Sequence, residues 1–154
     1  LLVRELLTAA APRQPHFVIR TDYRADRQLK DRLLGYGFTP VQLRFLPGYI
    51  FVRFDPSQRL RIGTIAGVHS IVGFAGQPAP VDALELEALR RISESRLAVS
   101  PAPFPALGRP CRLMSGPLEG LRGVLMGDAT DPRLVVSLTL LQRSIAVSIL
   151  PEWI

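Results

Sequence analysis

Cysteine, histidine and lysine are scarce in this chain, and each scarcity removes a class of chemistry. One cysteine, Cys111, cannot form an internal disulfide, and two distant histidines, His16 and His69, offer no spacing of the kind zinc sites use. A reducing, cytoplasmic compartment fits that usage. The sequence also lacks a Gly-x-Ser-x-Gly elbow, a phosphate loop, a dinucleotide fingerprint and a His/Glu metal motif. Its acidic side chains are scattered or stand beside arginine on helices, so no acid–base pair assembles and an enzyme is not expected. Neither is a metal or cofactor. No apolar run approaches the roughly 18 residues that a membrane helix needs. Of the 19 basic residues only Lys30 is not arginine. The planar guanidinium fork suits phosphate and carboxylate, and equally an ordinary solvated surface.

What is abundant is apolar. Hydrophobic residues fill 47% of the 154 positions, enough for a well-buried globular chain of one domain or two small ones. Fourteen prolines and twelve glycines cut it into many short elements. The net charge of +6 is uneven: residues 15–97 carry twelve basic and eight acidic side chains, residues 98–154 five and four. An acidic partner or nucleic acid is therefore expected at the first half. The chain begins at Leu1 rather than Met, so the natural start is expected upstream. LLVRELLTAAAP reads as a helical extension over 1–14 rather than the remnant of a targeting segment.

HFVIR (16–20) reads as a strand. Thr21 or Asp22 can cap the helix after it, in which Ala25, Leu29, Leu33 and Tyr36 build one apolar stripe. Gly35 and Gly37 end that helix. LPGYIFVRF (46–54) is the strongest strand in the chain, Asp55-Pro56 opens a short helix, and GVHSIVGF (67–74) is a further strand. Asp82 and Glu85 form a capping-box variant before a helix to about Ser95, with Leu84, Leu89 and Ile92 as its apolar face. This β-α-β-α-β-α order over 15–96 predicts helices packed on a small, largely antiparallel sheet. Three prolines within five residues of LAVSPAPFPALG exclude a regular helix or central strand, so 97–106 reads as a semi-rigid linker. Over 107–154 the short apolar runs RPCRLM, LRGVLM, RLVVSLTL and SIAVSI predict a small closed barrel, because an open sheet of that size leaves exposed edges. The expected fold class is α+β: an α/β sandwich, then a small β-barrel, with few contacts across the linker.

Two clusters depart from a plain core pattern. In FLPGYIFV (45–52), Phe45, Tyr49 and Phe51 alternate with Leu46, Ile50 and Val52, so both faces are apolar. Either this is a central strand buried on both sides, or one face is left open for a partner helix. In GPLEGLRGVL (116–125), Gly116, Gly120 and Gly123 permit a tight turn. Leu118 and Leu121 are either turn-tip core residues or part of a partner-binding face.

In this order, and joined by a proline-rich linker, the two clusters resemble the NusG family of bacterial transcription elongation factors. LPGYIFVRFD is similar to the family's Phe-Pro-Gly-Tyr strand, with Leu46 where Phe is usual. GVHSIVGFAGQPAPVDALELEAL resembles the segment up to the last helix of the family's N-terminal (NGN) domain. GRPCRLMSGPLEGLRGVL resembles the KOW motif, and LVVSLTLLQRSIAVSI its closing strands. The resemblance covers residues 16–150. The Leu-Leu-Gln-Arg-Ser turn (140–144) and GFAGQPAPVD resemble specialised UpxY-like paralogues that control capsule and polysaccharide operons. His16-Phe17 stands where the family has Trp-Tyr, and only a few residues separate Gly37 from Leu46 where relatives carry some tens.

The resemblance implies an NGN-type α/β sandwich followed by an SH3-like KOW barrel, and a role in transcription elongation or antitermination. Its implied partner is RNA polymerase, whose clamp helices would dock on Phe17, Phe45, Leu46, Pro47 and Tyr49 with Arg20 at the edge. Arg59, Arg61 and Thr64 would make the second polymerase contact. Arg24 and Arg27 would meet phosphates of upstream or non-template DNA. The KOW barrel would recruit Rho or a ribosomal protein through Leu118, Leu121 and Leu141, with Arg143 at the rim. The alternative is an RNA- or ribosome-binding KOW protein without polymerase contact. That reading expects a basic barrel, whereas the second half is close to neutral.

Overall fold

The computed structural model describes residues 14–154, so the helical extension expected over 1–14 falls, but for Gln14, outside the described residues. In the first half β1 (His16–Thr21) runs between β3 (Tyr49–Arg53) and β4 (Val68–Ile71), and β2 (Pro40–Val41) flanks β3. The resulting sheet is antiparallel throughout, in the order β2-β3-β1-β4. The segment 67–74, expected as one strand, breaks after Ile71 into a separate hairpin of β5 (Gly73–Phe74) and β6 (Gln77–Pro78).

Alternation along β1 and β3 divides their side chains between two cores. Phe17, Ile19, Ile50 and Val52 face one way and pack with Leu29 and Leu33 of helix α1 (Asp26–Gly35) and Ile62 of helix α2 (Arg59–Gly63). Val18 and Phe51 face the other way and join Leu86, Leu89 and Ile92 of helix α3 (Ala83–Ser95). β3 is thus a central strand buried on both faces. Each such side chain contributes about 1.5–3 kcal/mol relative to exposure.

The helix ends refine the expected pattern. Asp22 caps a 3-10 turn (Tyr23–Ala25) that precedes α1, its Oδ1 accepting from Arg24 N–H at 3.1 Å. Tyr36 leaves the expected stripe: the helix stops at Gly35, and the ring is 53% exposed beneath the Arg61 guanidinium at 5.5 Å. Asp82 caps α3 by accepting from the N–H groups of Leu84 and Glu85. Leu86, not Leu84, completes the buried stripe, because Leu84 lies about 200° round the helix from it and is 84% exposed.

The second half is a five-stranded antiparallel sheet of β7 (Val99–Ala102), β8 (Arg109–Arg112), β9 (Arg122–Met126), β10 (Arg133–Leu138) and β11 (Arg143–Ser148), in the order β7-β11-β10-β9-β8. The stretch expected as linker therefore holds a strand, β7, paired with β11. It survives Pro101 because it is an edge strand, where a missing N–H can face away from the ladder. The strand order is open where a closed barrel was expected. Both edges carry a proline, Pro101 and Pro110, which blunts further pairing. At the 115–120 turn Gly116 has φ 86°, and a Cβ there would fall 2.6 Å from the Trp153 ring. The Trp153 carbonyl accepts from Met114 N–H at 2.7 Å, closing the C-terminal turn over this corner.

The halves do not stand apart as expected. A continuous apolar cluster runs from Leu43, Leu46, Leu86 and Leu89 into Leu121, Leu138 and Ile145. Leu43 and Leu46 of the 43–49 loop are buried together with α3 and the C-terminal sheet in this cluster. Among the described residues no helix is long and apolar enough to cross a membrane.

Candidate functional site

The 42–49 loop is held from below by a buried carboxylate. Asp26, 6% exposed, accepts from Thr21 Oγ1, from Gln42 Nε2 at 3.0 Å and from Gly48 N–H at 3.0 Å. Three donors satisfy the charge and make its burial tolerable. Gly48, at φ 84°, turns its N–H toward this carboxylate, a backbone region that disfavours other side chains. The corner Pro47-Gly48-Tyr49 is therefore a fixed feature.

Above that corner lies an aromatic surface. The strand begins only at Tyr49, so Leu46 escapes the alternation expected of it and turns inward to 3% exposure. Phe45 and Tyr49 are half-buried, and Pro47 is exposed. Arg20, exposed on β1, stands opposite Tyr49 in the β1–β3 register. The Arg143 guanidinium lies 5.6 Å from the Tyr49 ring centroid and Arg44 lies 5.8 Å from that of Phe45. A cleft of about 340 Å³ lies between Phe45 and Leu46 on one side and the paired strands β7 and β11 on the other. A second, of about 570 Å³, separates α3 from β9 and β10. Polar ties cross between the halves. Glu85 accepts from Thr139 N–H at 3.1 Å and Thr139 Oγ1 at 2.6 Å, and Arg91 Nη2 donates to the Glu119 carbonyl at 3.0 Å.

The structure gathers Arg20, Phe45, Leu46, Pro47, Tyr49 and Arg143 around one loop. It does not place Phe17 there. That ring is buried on the opposite face of β1, 4.6 Å from the Phe54 ring, because it is an even step from Ile19 and an odd one from Val18. Leu118 and Leu121 are core residues, at 0% and 5% exposure, and present no partner face. Leu141 is half-buried against the shared cluster. Arg24 and Arg27 are exposed at the start of the α1 region. Arg59 donates to the Gly76 carbonyl at 2.9 Å and braces the β5–β6 hairpin, and Thr64 Oγ1 closes the end of α2 on the Arg61 carbonyl at 2.7 Å. Sequence reasoning passed over Asp26, which reads as an ordinary first-turn helix acid, and Arg44, one of many arginines. At the start of the central strand β1, His16 is shifted below its ordinary pKa. Burial is the main cause and the charges of Arg53 and Arg90 add to it.

The site offers an aromatic surface with a cationic rim on a rigid support. A solved structure concerned with domain interaction in Thermotoga maritima NusG matches the chain with a TM-score of 0.58 and 16% identity, over 90% of this chain and 94% of that one. The chain has a NusG-like fold. The match to the Thermotoga maritima NusG structure takes in both halves, not one sheet alone. No family model and no curated protein matches the chain.

Proposed function

We propose that this chain is a non-catalytic transcription elongation or antitermination factor of the NusG type, in the manner of a UpxY-like paralogue. Its first sheet binds RNA polymerase, and its second, a KOW-type unit, recruits a further partner such as Rho or a ribosomal protein. The observation that carries this reading is the loop Phe45–Tyr49, with two half-exposed aromatic rings flanked by Arg20 and Arg143 and fixed from below by Asp26. An apolar helix pair such as the polymerase clamp helices fits a surface of that chemistry. By binding one arrangement of the polymerase better than another, the factor shifts a population rather than making a bond. Arg59, Arg61 and Thr64 at the α2 corner are the second polymerase contact, and Arg24 and Arg27 meet DNA phosphates. With Leu118 and Leu121 inside the core, Leu141 and Arg143 remain as the recruiting residues of the second half.

Replacing Phe45 or Tyr49 with alanine should weaken binding to core RNA polymerase at least tenfold, about 1.4 kcal/mol, while Tm moves by about 4 °C or less. Normal binding by both variants overturns the reading. Leu141→Asp should leave the chain folded and abolish recruitment of the second partner.

A further inference from the structure

We infer that the cleft between α3 and the strands β9 and β10 binds a small amphiphilic anion, an apolar body ending in a carboxylate or similar head. None of its lining residues belongs to the Phe45–Tyr49 loop. The cleft holds about 570 Å³, within the roughly 300–1,000 Å³ that ligand pockets occupy. Its apolar floor follows from the strand register. Val124 of β9 stands opposite Val135 of β10, so the two side chains share one face of the sheet. Ala88 of α3 lines the other wall, and its short side chain leaves room that a longer one would fill. Leu84, 84% exposed, extends the apolar lining to the mouth.

The charged groups of the cleft are unevenly engaged. Both carboxylates that line it already hold donors. Glu85 accepts from the N–H and the Oγ1 of Thr139, and Glu87 stands 3.6 Å from the Arg90 guanidinium. The two cleft arginines are not matched in this way. Arg91 donates through Nη2 to a neutral acceptor, the Glu119 carbonyl, and neither Arg91 nor Arg122 forms an ion pair among the described residues. Arg122 also stands directly opposite Arg112 in the β8–β9 register, and like charges in that position repel. An anionic head beside Arg122 relieves the repulsion and meets Arg91 across the cleft. Arg122 and Val124 lie two residues apart on one face of β9, so a head held by the first lays its apolar body along the second and against Ala88.

The test titrates the full chain with sodium octanoate, with octanol and sodium acetate as controls, and follows the backbone amides by nuclear magnetic resonance. Octanoate should shift the amides of Ala88, Arg91, Gly123 and Val124 saturably, and each control should bind about tenfold more weakly or worse. Arg122→Glu should weaken octanoate by about tenfold or more, while Arg122→Lys, which keeps the charge, should bind like the parent. Ala88→Phe should fill the cleft and abolish the shifts. Arg122 is exposed, so its variants decide the matter if Ala88→Phe fails to fold. Parent-like octanoate binding by a folded Arg122→Glu or Ala88→Phe overturns the inference, as does octanol binding as tightly as octanoate. The absence of any saturable shift in the cleft overturns it too. If a peptide of alternating leucine and glutamate shifts those amides and octanoate does not, the occupant is a protein segment and the small-ligand site falls.

Discussion

Asp26 illustrates how one side chain organises a surface it does not reach. Its carboxylate ties the end of β1, the Gln42 side chain and the Gly48 backbone to the start of α1. Asp26→Ala would leave those part-buried donors unpaired and should cost on the order of 3 kcal/mol, read as a fall in the urea midpoint at unchanged m. His16 gives a second test at this scale. Burial and two arginines hold its pKa below the unfolded value, so the unfolded chain takes up the proton first. The stability His16 contributes is complete above about pH 6.5 and is lost as pH falls through the folded pKa. His16→Gln should flatten the decline in urea midpoint between about pH 7 and pH 5; an unchanged slope would mean other groups cause it.

Among the elements, those with a strong period were legible and those decided by contact were not. β1, β3 and α3 could be placed from alternation or from Asp82 at the cap, and the β8 to β11 runs from their apolar content and turns. Leu84 and Leu86 are equivalent by composition; only the direction of the sheet beneath α3 buries the second. β7 was hidden because three prolines mask a strand whose partner among the described residues, β11, lies over 40 residues later in the chain. Phe17 was assigned to the docking face because sequence shows alternation but not which face meets which helix. For Leu118 both readings were open, and its full burial chooses the core. Leu118→Ala should then cost about 2–5 kcal/mol by chemical denaturation, where a partner-face residue would cost under about 1 kcal/mol.

At the scale of the whole molecule, one apolar cluster spans both sheets, so neither half finishes its core alone. Unfolding should proceed in one two-state transition, with calorimetric and van't Hoff enthalpies equal; two separated transitions would show that the shared cluster contributes little. The corner where Gly116 lies under the Trp153 ring makes this easy to see. Trp153 is the sole tryptophan of the chain, and among the described residues the three α-helices lie in the other half. Intrinsic fluorescence therefore reports the C-terminal sheet, and far-ultraviolet ellipticity mainly the N-terminal half. The molecule carries its own pair of optical reporters, one for each half, and any condition that separates their signals has uncoupled the two.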